Sequence, residues 1–90
     1  MVTYIIKMKD EKQFKRFMKR LETKFPTLIW LEGQKPTRFN PFSDHFKVFI
    51  LYSTENKKLT YSDVNGKDCS YKQVRTQKEF ITLIGKDIEN

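Results

Sequence analysis

Ninety residues are one domain's worth of chain, enough for a single core and too few for a separate catalytic domain. A hydrophobic share of 38%, with eight Phe and four Tyr, supports folding, and the 32% of charged residues is spread along the chain, which argues against disorder. Eighteen Lys and Arg against eleven Asp and Glu leave a formal charge of +7. Such an excess concentrates anions, so nucleic acid, nucleotides, acidic proteins and anionic membranes are eligible partners; coding bias and solubility are the bland alternative.

Val2 to Met8 reads as a first strand, with Val2, Tyr4, Ile6 and Met8 on one face. The stretch from Asp10 to Phe25 predicts a helix opened by a capping box of Asp10 and Gln13 and closed by Pro26. Phe14, Phe17, Met18, Leu21 and Phe25 recur at helical spacing and form its apolar stripe, while Lys12, Lys15, Arg16, Lys19 and Arg20 form a basic face. From Thr27 the chain is expected to be extended through Leu28, Ile29, Trp30 and Leu31 up to Gly33, as an interior strand.

Residues 33–45 follow without periodicity, a loop of the length that is either functional or disordered, with Phe39 and Phe42 as partial anchors. Phe46 to Ser53 predicts a strand with Phe46, Val48, Ile50 and Tyr52 on one face. Lys58 to Val64 then returns as its hairpin partner. Asn65-Gly66 is a turn dipeptide, and a short further strand is expected around Tyr71 to Val74. Thr76 and Glu79 open a terminal helix, expected to weaken or end near Gly85. The expected fold is α+β: a mainly antiparallel sheet of three to five strands with two helices packed on one face, in the order β-α-β-β-β-(β)-α.

A catalytic set is hard to assemble. Cys69 and His45 are the one Cys and His, without a supporting motif, and Ser43-Asp44-His45 are consecutive and unable to point at one another as a triad. The run from Asp63 to Asp68 has its glycine at the fourth position and Val74 at the twelfth, so it reads as a turn and not a calcium loop. Zinc clusters, GxGxxG and P-loop strings are missing. Convergence of Glu32, Asp44 and Asp63 has no support in their spacing. The expectation is therefore a non-enzyme with no cofactor and no metal.

Binding chemistry is better represented. The basic face suits phosphates, with a solvated helix back as its alternative. Trp30, Lys35, Arg38 and Phe39, with Tyr61 and Tyr71 nearby, combine rings that stack bases with cations that hold phosphates; the alternative is that Trp30 is core. A lone Cys69 fits a reducing compartment, the N-terminal apolar run is too short for a signal peptide, and Val48 to Tyr52 is too short for a membrane span. A cytoplasmic protein without a membrane partner is expected.

The strand YIIKM, the helix, Trp30-Leu31-Glu32-Gly33, the irregular loop, the string Lys57-Lys58-Leu59-Thr60-Tyr61-Ser62 and the helix opened by Lys78-Glu79-Phe80 together resemble small orphan proteins encoded by phages of low-GC Gram-positive bacteria. The resemblance implies action in the host cytoplasm, without catalysis. It implies counteracting host defence by sequestering a nucleotide ligand or occupying a nucleic-acid-handling host protein. The alternatives are direct nucleic-acid binding through the helix 10–25 and a pure protein–protein inhibitor.

Overall fold

Residues 1–64 and 70–89 are described by a computed structural model. The Asn65-Gly66 turn and Cys69 lie outside the described residues. The elements are β1 (Thr3–Met8), α1 (Glu11–Lys24), two short 3-10 turns (Pro36–Arg38 and Pro41–Ser43), β2 (Val48–Ser53), β3 (Lys58–Ser62), β4 (Lys72–Gln73) and α2 (Gln77–Glu89). They form a four-stranded sheet in the order β3-β2-β1-β4, antiparallel except where β4 joins β1 in parallel.

β1 alternates as a strand with two covered faces. Tyr4, Ile6 and Met8 enter the main core with Val48, Ile50 and Tyr52 of β2, whereas Ile5 joins Phe49, Leu51 and Tyr71 on the reverse face. Both helices cover the main-core face, because the buried stripe of α1 (Phe14, Phe17, Met18, Leu21) and that of α2 (Phe80, Ile81, Ile84) belong to the same cluster. Phe17 and Phe80 meet edge to face with centroids 5.8 Å apart.

The start of α1 is capped as a reciprocal pair with one shift of partner. Asp10 Oδ1 accepts the Gln13 N–H at 2.8 Å, and Gln13 Oε1 accepts from the Lys9 N–H at 2.6 Å, where a standard box would take the N–H of the cap residue itself. At α2, Thr76 Oγ1 accepts the Glu79 N–H at 3.1 Å.

Four expectations are corrected. The strand expected from Thr27 up to Gly33 shrinks to a single parallel bridge between Trp30 and Leu59 on the outer edge of β3. The chain turns back at once, as the Trp30 N–H donates to the Gln34 carbonyl at 2.8 Å, and Gly33 takes a φ of 100° that favours glycine. β2 begins at Val48 and not at Phe46, because Val48 faces Met8, the last residue of β1. Phe46 thus has no strand beside it and is 105% exposed. The hairpin strand β3 likewise stops at Ser62, short of the exposed Val64.

The fourth correction concerns Gly85, which lies inside α2 and is buried against Phe25. A Cβ placed there would sit 3.7 Å from the Phe25 ring, an ordinary contact. Gly85→Ala is therefore expected to raise stability by about 1 kcal/mol, the usual helix-interior difference between the two residues, as read from the urea midpoint. A fall in the midpoint would show that the Phe25 contact is tighter than this geometry allows.

The far end of α2 is fixed to the β2–β3 turn through one buried phenol. Tyr52 donates its O–H to Asp87 Oδ2 at 2.6 Å, and Lys57 Nζ donates to the same oxygen at 3.1 Å and to the Asp87 carbonyl at 2.9 Å. Lys57 reaches it from a left-handed backbone, φ 59°. Burial of the phenol, then its bond to Asp87 and the negative charge there, hold the Tyr52 pKa well above the ordinary value of 10.0.

The unfolded phenol ionises near pH 10 while the folded one stays neutral, so its contribution is complete below about pH 10 and is lost as pH rises beyond it. Urea titrations at about pH 8 and pH 11 should show a larger alkaline loss in the parent than in Tyr52→Phe. Equal losses in the two proteins would remove this phenol from the pH dependence.

Candidate anion-binding groove

Proline starts both 3-10 turns of the 33–45 loop, and Pro36 and Pro41 are buried. The loop is held to α1 by a run of rings: Phe42 on Phe14 (5.6 Å between centroids), Phe14 on Trp30 (6.3 Å), Trp30 on Phe39 (5.1 Å), Phe39 on Tyr61 (5.4 Å) and Tyr61 on His45 (5.5 Å). Trp30 is only 3% exposed, and its indole N–H donates to the Pro36 carbonyl at 3.1 Å.

This placement divides the expected ligand set. Trp30 and Phe39 touch, and Tyr61 joins them around a small cavity of about 180 Å³, but the sealed indole presents no face for a base to stack on. Tyr71 lies on the reverse face of the sheet. Lys35 and Arg38 are exposed in the loop, where both bear on Glu22 of α1. The Glu22 carboxylate accepts from the Thr37 hydroxyl at 2.7 Å and from the Thr37 N–H at 3.1 Å. Those two bonds, with Lys35 and Arg38 adding their charge, hold its pKa below the usual carboxylate value.

The basic face of α1 fares differently. Between α1 and α2 runs an open groove of about 710 Å³, lined by Arg16, Lys19, Arg20, Thr23, Lys24, Lys78, Ile81 and Thr82. Arg20 Nη1 donates to Gln77 Oε1 at 3.1 Å, which ties one wall to the other. Ile81 lies in the groove lining and is itself almost fully buried.

Of the five residues of the expected basic face, Arg16, Lys19 and Arg20 enter the groove. Lys12 is exposed outside it, and Lys15 instead pairs with Glu11 at 3.6 Å. Lys24 and Lys78 are contributors that the sequence reading missed. Lys24 was legible as the next step of the four-residue spacing Arg16, Arg20, Lys24. Lys78 became a neighbour only when α2 packed beside α1.

The two carboxylates of α1 both face the loop. Glu22 is bonded to Thr37, and Glu11 Oε2 accepts from Asn40 Nδ2 at 2.6 Å. No carboxylate is among the described residues that line the groove. On α1, Arg16, Lys19, Arg20 and Lys24 line the groove, whereas Lys15 stays with Glu11 and Lys12 lies outside it.

The spacing of the bases has a cost. Lys12–Arg16, Lys15–Lys19, Arg16–Arg20 and Arg20–Lys24 are like-charge pairs at i,i+4 on one helix, each unfavourable by about 0.2–0.5 kcal/mol. An ordinary solvated helix face intersperses the two signs and avoids such repulsion.

No group of three or more His, Cys, Asp or Glu side chains among the described residues is placed to hold a metal ion. No helix of the described residues is long and apolar enough to cross a membrane. Comparison of the chain with protein-family models, with curated proteins and with solved structures returns no match.

Proposed function

We propose that this protein is a non-catalytic binding module for a phosphate-bearing polyanion, which it holds in the groove between α1 and α2. The observation that carries the reading is the convergence of Arg16, Lys19, Arg20, Lys24 and Lys78 from two helices on one concave surface, with the Thr23 hydroxyl beside them and no carboxylate among the described lining residues; the Thr82 hydroxyl already donates to the Lys78 carbonyl at 2.9 Å. Lys, Arg and Thr are residue types that contact phosphate oxygens. The like-charge repulsion among Arg16, Arg20 and Lys24 along α1 supports it further, because a bound polyanion relieves it. The chemistry ranks nucleic acid above a single nucleotide, since the charge is distributed along the groove and no aromatic ring is among the described residues that line it.

As a phage-type protein, in keeping with the resemblance of its sequence, the domain would act by occupancy: on host nucleic acid, or on the host machinery that handles it. The test is binding of a labelled oligonucleotide by fluorescence anisotropy across a salt series, with Arg16→Glu/Lys19→Glu as the groove variant. Affinity that falls steeply with salt and is lost in the variant supports the reading. Binding indifferent to salt, or unchanged in the variant, refutes it.

A further inference from the structure

We infer that the polyanion is a nucleic-acid duplex, gripped along its phosphate backbone without regard to base sequence; this rests on the anion-binding reading above. Single-strand binders combine cations with aromatic platforms for the unpaired bases. None of the described residues lining this groove carries an aromatic ring. The rings of Trp30, Phe39 and Tyr61 are gathered where the 33–45 loop meets α1, and Glu11 and Glu22 bond to that same loop. A strand whose phosphates lay in the groove would find no ring beside it for its bases.

Of the groups that read base edges in the major groove, the described lining carries only Arg and Lys, which can reach guanine, and Thr. No Asn, Gln, Asp or Glu is among its described residues, so the bidentate contacts to adenine and the carboxylate contacts to cytosine have no donor or acceptor here. Gln77, the nearest carboxamide in sequence, already accepts from Arg20. Arg, Lys and Thr also contact phosphates, so the lining favours backbone contacts, which position a duplex, and offers few that discriminate among bases.

Charge density favours the duplex as well. Arg16, Arg20 and Lys24 rise along α1 in steps of about 6 Å and span about 12 Å. Over that length a duplex presents roughly seven negative charges, one per 1.7 Å, and a single strand about half as many. A rigid row of cations also meets a duplex whose phosphates are already spaced, whereas a flexible strand must be ordered on binding.

The experiment compares a labelled DNA duplex of about 20 base pairs, a second of scrambled sequence, an RNA duplex and the separated strands, at about 50 mM salt. The expected result is at least about tenfold tighter binding of duplexes than of either strand, agreement between the two DNA sequences within about threefold, and loss of duplex binding in Arg16→Glu/Lys19→Glu. Preference between the DNA and RNA duplexes identifies the source of the ligand and supports the inference either way.

Single strands bound as tightly as duplexes, or a strong preference for one sequence, would overturn the duplex inference while the groove reading stands, provided the variant still loses binding. No binding of any probe, or binding that survives in the variant, would overturn the groove reading itself. A melting curve of the variant separates lost contacts from lost structure.

Discussion

Replacing Trp30 by Ala is expected to destabilise the protein by about 3–5 kcal/mol, a large part of the roughly 5–15 kcal/mol that small domains possess. The indole is 3% exposed, sits between Phe14 and Phe39, and donates its N–H to the Pro36 carbonyl. Its removal leaves a cavity at the point where the loop, α1 and the outer edge of β3 meet. For a domain of this size the melting temperature should fall by on the order of 12–40 °C.

Trp30→Phe keeps a ring against Phe39 but leaves the Pro36 carbonyl without its donor, at about 1–3 kcal/mol. Below its melting temperature this variant should bind oligonucleotide as the parent does. A fully folded Trp30→Phe with weakened binding would return the indole to the recognition surface.

The double reversal Arg16→Glu/Lys19→Glu should act in the opposite direction on the two properties. About five cations meeting five phosphates give a logarithmic salt slope near −4.5, so raising salt from about 50 to 200 mM should weaken duplex binding roughly 500-fold. With about three contacts left the slope falls to about −2.7. Each lost charge-assisted contact is worth about tenfold or more, so affinity at low salt should drop by at least about 100-fold.

Stability should not follow. The two glutamates turn the Lys12–Arg16, Arg16–Arg20 and Lys15–Lys19 pairs from repulsive to attractive and the Lys19–Glu22 pair from attractive to repulsive; the net change is favourable, and the variant should melt at the parent's temperature or above. A gain in stability with a loss of binding is the mark of a functional surface kept at the expense of the fold. A variant that melts lower and binds less would instead place Arg16 or Lys19 among the structural residues.

Several features of the fold were legible because they depend on neighbours in sequence. The stripe from Phe14 to Phe25, the Asp10–Gln13 cap, the alternation of β1 and the β2–β3 hairpin are all set by contacts within a few turns or one hairpin. Gly85 was misread as a stop because its intrinsic helix penalty was visible, while the Phe25 ring packed on it was not. Leu28 to Leu31 had the composition of an interior strand. Strand pairing depends on distant partners, and here the turn at Gly33 leaves one bridge on a sheet edge and Leu31 54% exposed.

The groove divides in the same way. The number of bases and their spacing along α1 come from the sequence alone. Which of them share the groove was decided by the packing: Glu11, bonded to Asn40 of the loop, also holds Lys15, Thr37 takes up Glu22, and α2 brings Lys78 alongside. The sequence by itself determined an amphipathic basic helix on a small sheet, since helical periodicity and charge are local properties. Only the tertiary structure decided that Trp30 is core and that the cations share one groove, because burial and electrostatic pairing depend on segments far apart in the chain.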